Sequence, residues 1–216
     1  MAKKSTRNTR GRIVSAAWKL FYEQGYEDTT VEEIIELSGT SKGSFYHYFD
    51  GKDALLSTLS SLFDEKYEEL TGLLTPEMTA MEQLLFLNRE LFHMIEDSIS
   101  LDLLARLYST QLTTNGEKHL LDHNRIYYKL LRKIIAKGQA EGQLSSRSNV
   151  NEMVKLYALC ERALLYDWCL CAGEYALTEY SAKVLPGFLS SFLPLFNRTF
   201  ILLSVKLSIC AISFTE

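Results

Sequence analysis

Ser41, Lys42, Ser44, Tyr46 and His47 fall within one short run, SKGSFYH. These are hydroxyls, an ammonium, a phenol and an imidazole, the groups that reach phosphate oxygens and set register on a nucleic acid. Ser41 is expected to N-cap a helix of about two turns, because its side chain can accept an otherwise unpaired N–H. Lys42 and Ser44 then point outward as candidates for base-edge contact, with lysine suited to guanine O6 and N7. The helix N-terminus itself offers N–H groups to phosphate. Gly43 permits close approach of another backbone, at some cost in helix propensity. Phe45 and Phe49, spaced i, i+4, are expected to pack inward. Tyr46 also admits a blander reading as a packed ring with a wet hydroxyl, and His47 as a solvated surface residue.

Two preceding segments must hold this run in place. Ile13, Ala16, Ala17, Leu20 and Phe21 recur at i, i+3, i+4, i+7 and i+8, one face of an amphipathic helix over Thr9–Gln24. Gly25 is its expected stop. Thr30 with Glu33 three residues on fits a capping box. The helix it opens turns Val31, Ile34 and Ile35 to a core and Glu32, Glu33 and Glu36 to water, and ends at Ser38-Gly39.

Residues 9–56 resemble the DNA-binding domain of the TetR family of bacterial transcriptional regulators. The resemblance rests on Ile13, Ala16-Ala17, Leu20-Phe21, Gly25-Tyr26, Thr30-Val31, Ile34, Gly39, Ser41-x-Gly43, Phe45-Tyr46, Tyr48-Phe49, Lys52 and Leu55. Ile35 and Ser38 stand where the family often has alanine, and Thr40 where it often has valine. None of these departures removes a DNA-facing group. The resemblance implies a three-helix helix-turn-helix domain whose third helix enters the major groove. Its DNA-binding residues would be Thr30, Ser41, Lys42, Gly43, Ser44, Tyr46, His47 and Lys52, the last holding a phosphate.

The N-terminus adds charge. Residues 1–12 hold Lys3, Lys4, Arg7, Arg10 and Arg12 and no acid. Such an arm is expected to be disordered alone and drawn to phosphate or a narrow minor groove, with Arg7 and Arg10 as contacts. The alternative is an ordinary solubilising terminus. A net charge of -4 over the chain does not oppose DNA binding, since the location of charge matters more than its sum.

The fold class expected is all-α: a helix-turn-helix DNA-binding domain over 1–52 and a larger helical effector-binding and dimerisation domain over 53–216. Only three prolines occur in 216 residues and no strand alternation is evident. A linking helix is expected over about Lys52–Leu74, broken at Thr75-Pro76. Further helices are expected at about 77–96, 100–113, 118–140, 149–172 and 178–197.

The resemblance also implies that the second domain dimerises through its last two helices and binds a small effector. Leu164, Leu165 and Trp168 on one helix, and Leu185, Phe188, Leu189, Phe192 and Phe196 on the next, are the expected homodimer interface. Candidate effector-lining residues are Phe92, Tyr108, Tyr127, Tyr128, Met153, Tyr157, Cys160, Glu161 and Trp168, a set suited to an apolar or aromatic compound; Glu161 or Arg162 could anchor a charged group, and each also reads as a paired interface or surface charge. The implied function is a sequence-specific regulator, a repressor released from a palindromic double-stranded operator by the effector. The alternative is a DNA-binding regulator controlled by a protein partner with no small ligand.

An enzyme is not expected. His47, His93, His119 and His123 are scattered, with no nucleophile triad, phosphate loop or metal motif. No metal and no cofactor are expected. Cys160, Cys169, Cys171 and Cys210 read as reduced thiols. A polar, basic start without an apolar stretch points to a cytoplasmic protein. The apolar tail 199–214 carries Lys206 and several serines and is short for a membrane span, so a further dimer-covering helix is expected there.

Overall fold

The computed structural model describes residues 3–113 and 118–194, with side chains from Thr9 onward. Among these residues there are ten α-helices and two 3-10 turns, and no strand. The helices are α1 (Lys3–Gln24), α2 (Val31–Ser38), α3 (Lys42–Tyr48), α4 (Lys52–Leu56) and α5 (Leu59–Thr71), then α6 (Ala80–Ser98), α7 (Leu101–Thr113), α8 (Ile126–Ala140), α9 (Val150–Leu170) and α10 (Leu177–Leu189). The residues form two compact units. The first takes residues up to 65 together with 98–122; the second takes 66–97 and those from 123 onward.

In the first unit α1 packs on α2 and α3, and α4 packs on α7. Ile13, Ala17, Phe21, Ile34, Phe45, Phe49, Leu55 and Leu56 are buried, matching the faces expected from their spacing. The capping box is formed: Thr30 Oγ1 accepts the Glu33 N–H, and the Glu33 carboxylate accepts the Thr30 N–H at 2.7 Å. Gly39 closes α2 at φ 59°, ψ 37°, the left-handed region where a Cβ is costly. The two unusual polar residues of this turn answer each other, with Ser38 Oγ and Thr40 Oγ1 2.8 Å apart.

Two expectations change here. Residues 3–12 are the first turns of α1 rather than an unstructured arm. Once the segment from Ile13 has packed, each added turn needs propagation and not nucleation. The linking helix is split into α4 and α5. Ser57, Thr58 and Ser60 side chains donate to the carbonyls of Ala54, Leu55 and Ser57 at 2.6–2.7 Å, competing with the backbone N–H groups that would continue the helix. Thr58 Oγ1 also accepts the Trp18 indole N–H at 2.9 Å.

In the second unit α9 packs on α8 and α10. Its core includes Leu84, Leu87, Phe92, Leu131, Ile135, Tyr157 and Leu185. Gly138 lets α8 approach closely: a Cβ there would lie 2.5 Å from the Ala80 Cβ and 2.9 Å from Leu144 Cδ1. The helix expected over 118–140 is a 3-10 turn at His119–Leu121 followed by α8, so His119 and His123 do not share a helix. The last described helix ends at Leu189 with a 3-10 turn after it, short of the 178–197 expected. Phe196, Cys210 and the tail 199–214 lie outside the described residues. No helix among the described residues is long and apolar enough to cross a membrane.

Candidate functional site

The outward face of α3 carries Ser41, Lys42, Gly43, Tyr46 and His47, all exposed, with Ser44 half-buried. Ser41 caps the helix by accepting the Ser44 N–H at 3.1 Å, and its Oγ lies 2.9 Å from Ser44 Oγ. Lys42 reaches Glu32 on α2 at 3.3 Å in an exposed pair. The Glu32 carboxyl sits below its ordinary range through a backbone hydrogen bond first and Lys42 second. An exposed pair of this kind contributes about 0–1 kcal/mol, against about 1–3 kcal/mol for a good bidentate base contact. Lys42 is therefore free to exchange one for the other. Tyr46 sets its ring edge-on to the buried Phe45 at 5.3 Å and stays 45% exposed, so both readings of it hold in part: a supported ring and an accessible phenol. Gly43 has no packing reason to be glycine. A Cβ there would meet only Ser41 Oγ, at 4.0 Å.

Thr30 and Lys52 are already engaged. The Thr30 hydroxyl donates to Glu33 at 2.8 Å. Lys52 donates to the carbonyls of Tyr26, Glu27 and Thr29 at 2.6, 3.2 and 2.8 Å, and its ammonium lies 4.3 Å from the centre of the Tyr26 ring. Tyr26 donates to Asp53, and burial first, then Asp53, pushes its phenol well above the ordinary range. On the same turn Arg106 of α7 pairs with Glu27 and Asp102 and lies over the Tyr26 ring at 4.9 Å. Arg10 stands over Phe49 at 5.4 Å, and the Arg7 side chain lies outside the described residues. Arg106 was not legible in the sequence, where it is one exposed-looking cation on an amphipathic helix.

The effector candidates fall into separate groups. Tyr127, Tyr157 and Glu161 come together in the second unit around a buried carboxyl. Glu161 accepts from Tyr127 Oη at 2.6 Å and from Asn88 Nδ2 at 2.9 Å, and the Asn88 carbonyl oxygen accepts from Ser181 Oγ at 2.5 Å. Tyr157 Oη donates to the Leu84 carbonyl at 2.8 Å. Burial raises the Glu161 pKa, with the bonds from Tyr127 and Asn88 opposing; it also lifts both phenols well above their usual range. Asn88 and Ser181 were missed in the sequence. The available signal was an asparagine at position 88 on an apolar face that reads Leu84, Leu87, Leu91, Ile95.

The remaining candidates have other partners. Tyr128 accepts from Arg162 at 3.2 Å, the Met153 sulfur accepts from Gln139 at 3.2 Å, and Trp168 donates to the Tyr175 carbonyl at 2.9 Å. Phe92 is fully buried, and Tyr108 belongs to the first unit. Burial pushes the Cys160 and Cys169 thiols up to about 11, which keeps them protonated and unreactive at neutral pH.

Of the expected dimer residues, Leu164, Leu165, Trp168, Leu185, Leu189 and Phe192 are buried within the protomer, and Phe188 is half-buried. The apolar face that α9 leaves exposed is instead Leu159, Ala163, Tyr166 and Leu170. Their i, i+4, i+7, i+11 spacing makes one stripe.

A capped helix, a left-handed glycine turn and a short second helix with a polar outer face define a helix-turn-helix unit in an all-α protein. Residues 13–59 match the model of the family described as bacterial regulatory proteins, tetR family. Over this segment the chain is similar to TetR-family regulators. An uncharacterized HTH-type transcriptional regulator of Lactococcus lactis is 39% identical over 56 residues, covering 26% of this chain and 29% of that protein. The regulator TtgR of Pseudomonas putida is 34% identical over 68 residues, 32% of each. The chain thus spans less than a third of the length of either. The crystal structure of Thermus thermophilus FadR, a TetR-family repressor in complex with lauroyl-CoA, superposes with a TM-score of 0.69 at 26% identity. That match covers 86% of this chain and 95% of that one.

Proposed function

We propose that this protein is a sequence-specific DNA-binding regulator, a homodimeric repressor that leaves a palindromic operator when a small-molecule effector binds. The observation that carries the DNA reading is Gly43. Its backbone lies exposed between Lys42 and Ser44 with open space where a Cβ would stand, as close approach to a phosphate or base edge requires. Ser41, Lys42, Gly43, Ser44, Tyr46 and His47 form the DNA surface, with Arg7, Arg10 and Thr30 at its margins, and residues 1–52 act as the DNA-binding domain. Lys52 is left out, because a phosphate contact would take it from three carbonyls.

Residues 53–216 bind the effector and the second protomer. The lauroyl-CoA held by the Thermus relative supports an acyl-thioester effector, with apolar side chains for the acyl chain. The Leu159–Leu170 stripe of α9 is the surface offered to a second copy, where two such faces would exclude water from four exposed apolar positions on each side. Two recognition helices about one DNA turn apart, ~34–36 Å, would then read a pseudo-palindrome.

The test is fluorescence anisotropy with DNA from upstream of this protein's own gene against a scrambled duplex, at about 150 mM salt. A preference of about 10³-fold or more, lost on adding lauroyl-CoA but not free coenzyme A, supports the reading. Equal binding to both duplexes, with and without the acyl-thioester, overturns it.

A further inference from the structure

A groove of about 680 Å³ runs between α6 and α10 in the second unit, within the range that holds a drug-sized ligand. Its walls are apolar: Met78, Leu85 and Phe86 on one side, Ala182 and Pro186 on the other. Its polar groups are selective in what they can still do. Thr178 lines it with a half-buried hydroxyl that donates elsewhere, to the Glu96 carboxylate, while Ser181 and Asn88 lie behind the wall, buried and bonded to each other. A hydroxyl has one proton and two lone pairs, so Thr178 offers the groove only an acceptor.

The charge at the rim points the same way. Glu77 and Glu82 line the groove; hydrogen bonds from Thr75 and from the Thr79 backbone hold their carboxyls below the ordinary range. Among the described residues Arg89 is the one cation lining it, and it is paired with Glu90, to which it donates through Nε and Nη2 at 2.9 and 2.7 Å. An acidic rim over apolar walls and an acceptor-only hydroxyl calls for a cation with N–H groups on an apolar body.

We infer that the α6–α10 groove is a binding site for an amphiphilic amine, its alkyl or aryl body against Leu85, Phe86 and Pro186 and its ammonium toward Glu82 and the Thr178 hydroxyl. The proposal does not rest on the acyl-thioester reading above and is opposite to it in ligand charge. It also touches a relay. Ser181 bonds to Asn88, Asn88 to Glu161 and Glu161 to Tyr127, a chain crossing α10, α6, α9 and α8.

Isothermal titration of the full-length protein with n-octylamine, n-octanol and octanoate at pH 7 tests the site. Octylamine is expected to bind about tenfold or more tightly than the other two. Ala182→Trp, at an exposed position of α10, fills the groove and is expected to weaken octylamine about tenfold with unchanged far-UV circular dichroism. Glu82→Gln is expected to narrow the gap between octylamine and octanol. Should Ala182→Trp fail to fold, Ala182→Leu serves the same purpose. Absence of octylamine binding, octanol or octanoate binding as tightly as the amine, or unchanged affinity in the folded groove-filling variant each overturns the assignment.

Discussion

Lys52 turns its ammonium inward onto the carbonyl oxygens of Tyr26 and Thr29, at 2.6 and 2.8 Å. The residue that opens α4 thus closes the turn between α1 and α2, which fixes where the helix-turn-helix begins. Replacing it with methionine keeps most of the stem and removes all three donors. A charge-assisted hydrogen bond contributes about 1.5–3 kcal/mol, and at this half-buried site water replaces part of what the three bonds supply, so Lys52→Met is expected to lower unfolding free energy by about 2 kcal/mol in urea titration. The slope of log affinity against log salt for operator DNA should not change. A slope shallower by about one unit would mean that Lys52 reaches a phosphate after all.

Gly43 separates folding from DNA contact. Alanine has the better helix propensity by about 1 kcal/mol, and the added Cβ meets nothing closer than 4.0 Å. Gly43→Ala is therefore expected to keep or raise the melting temperature while weakening operator binding in anisotropy. A variant that melts higher and binds the operator as well as before would sink the close-approach reading.

The opposite result is expected at Gly138. There the Cβ would fall 2.5 Å from Ala80 Cβ and 2.9 Å from Leu144 Cδ1, a distance at which neighbours must move. Overpacking of this kind costs about 1–3 kcal/mol, more than the propensity gain. Gly138→Ala should melt lower than wild type in calorimetry.

Glu161 has its carboxyl raised above the ordinary 4.5 by burial. The folded state therefore holds a proton that the unfolded state has released, so the group's contribution to stability is largest below pH 4.5 and falls as pH rises toward the folded value. Glu161→Gln cannot titrate. The wild-type minus variant difference in unfolding free energy should be flat below about pH 4.5 and decline as pH rises above it. A difference that rises with pH would mean that Glu161 is held ionised by its neighbours instead.

The exposed stripe on α9 sets a further expectation. Tyr166 and Leu170 are 47% and 66% exposed, so changing them should not disturb the protomer core. A double Tyr166→Glu, Leu170→Glu variant is expected to sediment as a folded monomer where wild type sediments as a dimer. If the variant stays dimeric, the second copy docks elsewhere.

What could be read from the chain alone was local. The capping box at Thr30 and Glu33, the left-handed stop at Gly39, the Ser41 cap and the inward Phe45 and Phe49 all depend on residues within about one helical turn of each other, and each stands where its spacing placed it. The interruption at Ser57–Thr58 was also local, yet it was overlooked, because apolar periodicity carries no record of side chains competing for carbonyls.

The tertiary structure decided which polar groups are already engaged. Lys52 and Thr30 carry the right chemistry for phosphate, but Lys52 is folded back onto a turn 23 to 26 residues earlier. Asn88 and Ser181 are 93 residues apart in the chain and 2.5 Å apart in space, and nothing in either neighbourhood marks them as partners. Leu164 and Leu165 look as fit for an interface as Leu159 and Tyr166, and only the packing of α8 and α10 on α9 determines which of them water reaches. Hydrogen-bond donors saturate, and a helix face can be covered once. Those limits depend on what else the fold brings near, so they are set by the assembled helices rather than by the order of residues along any one of them.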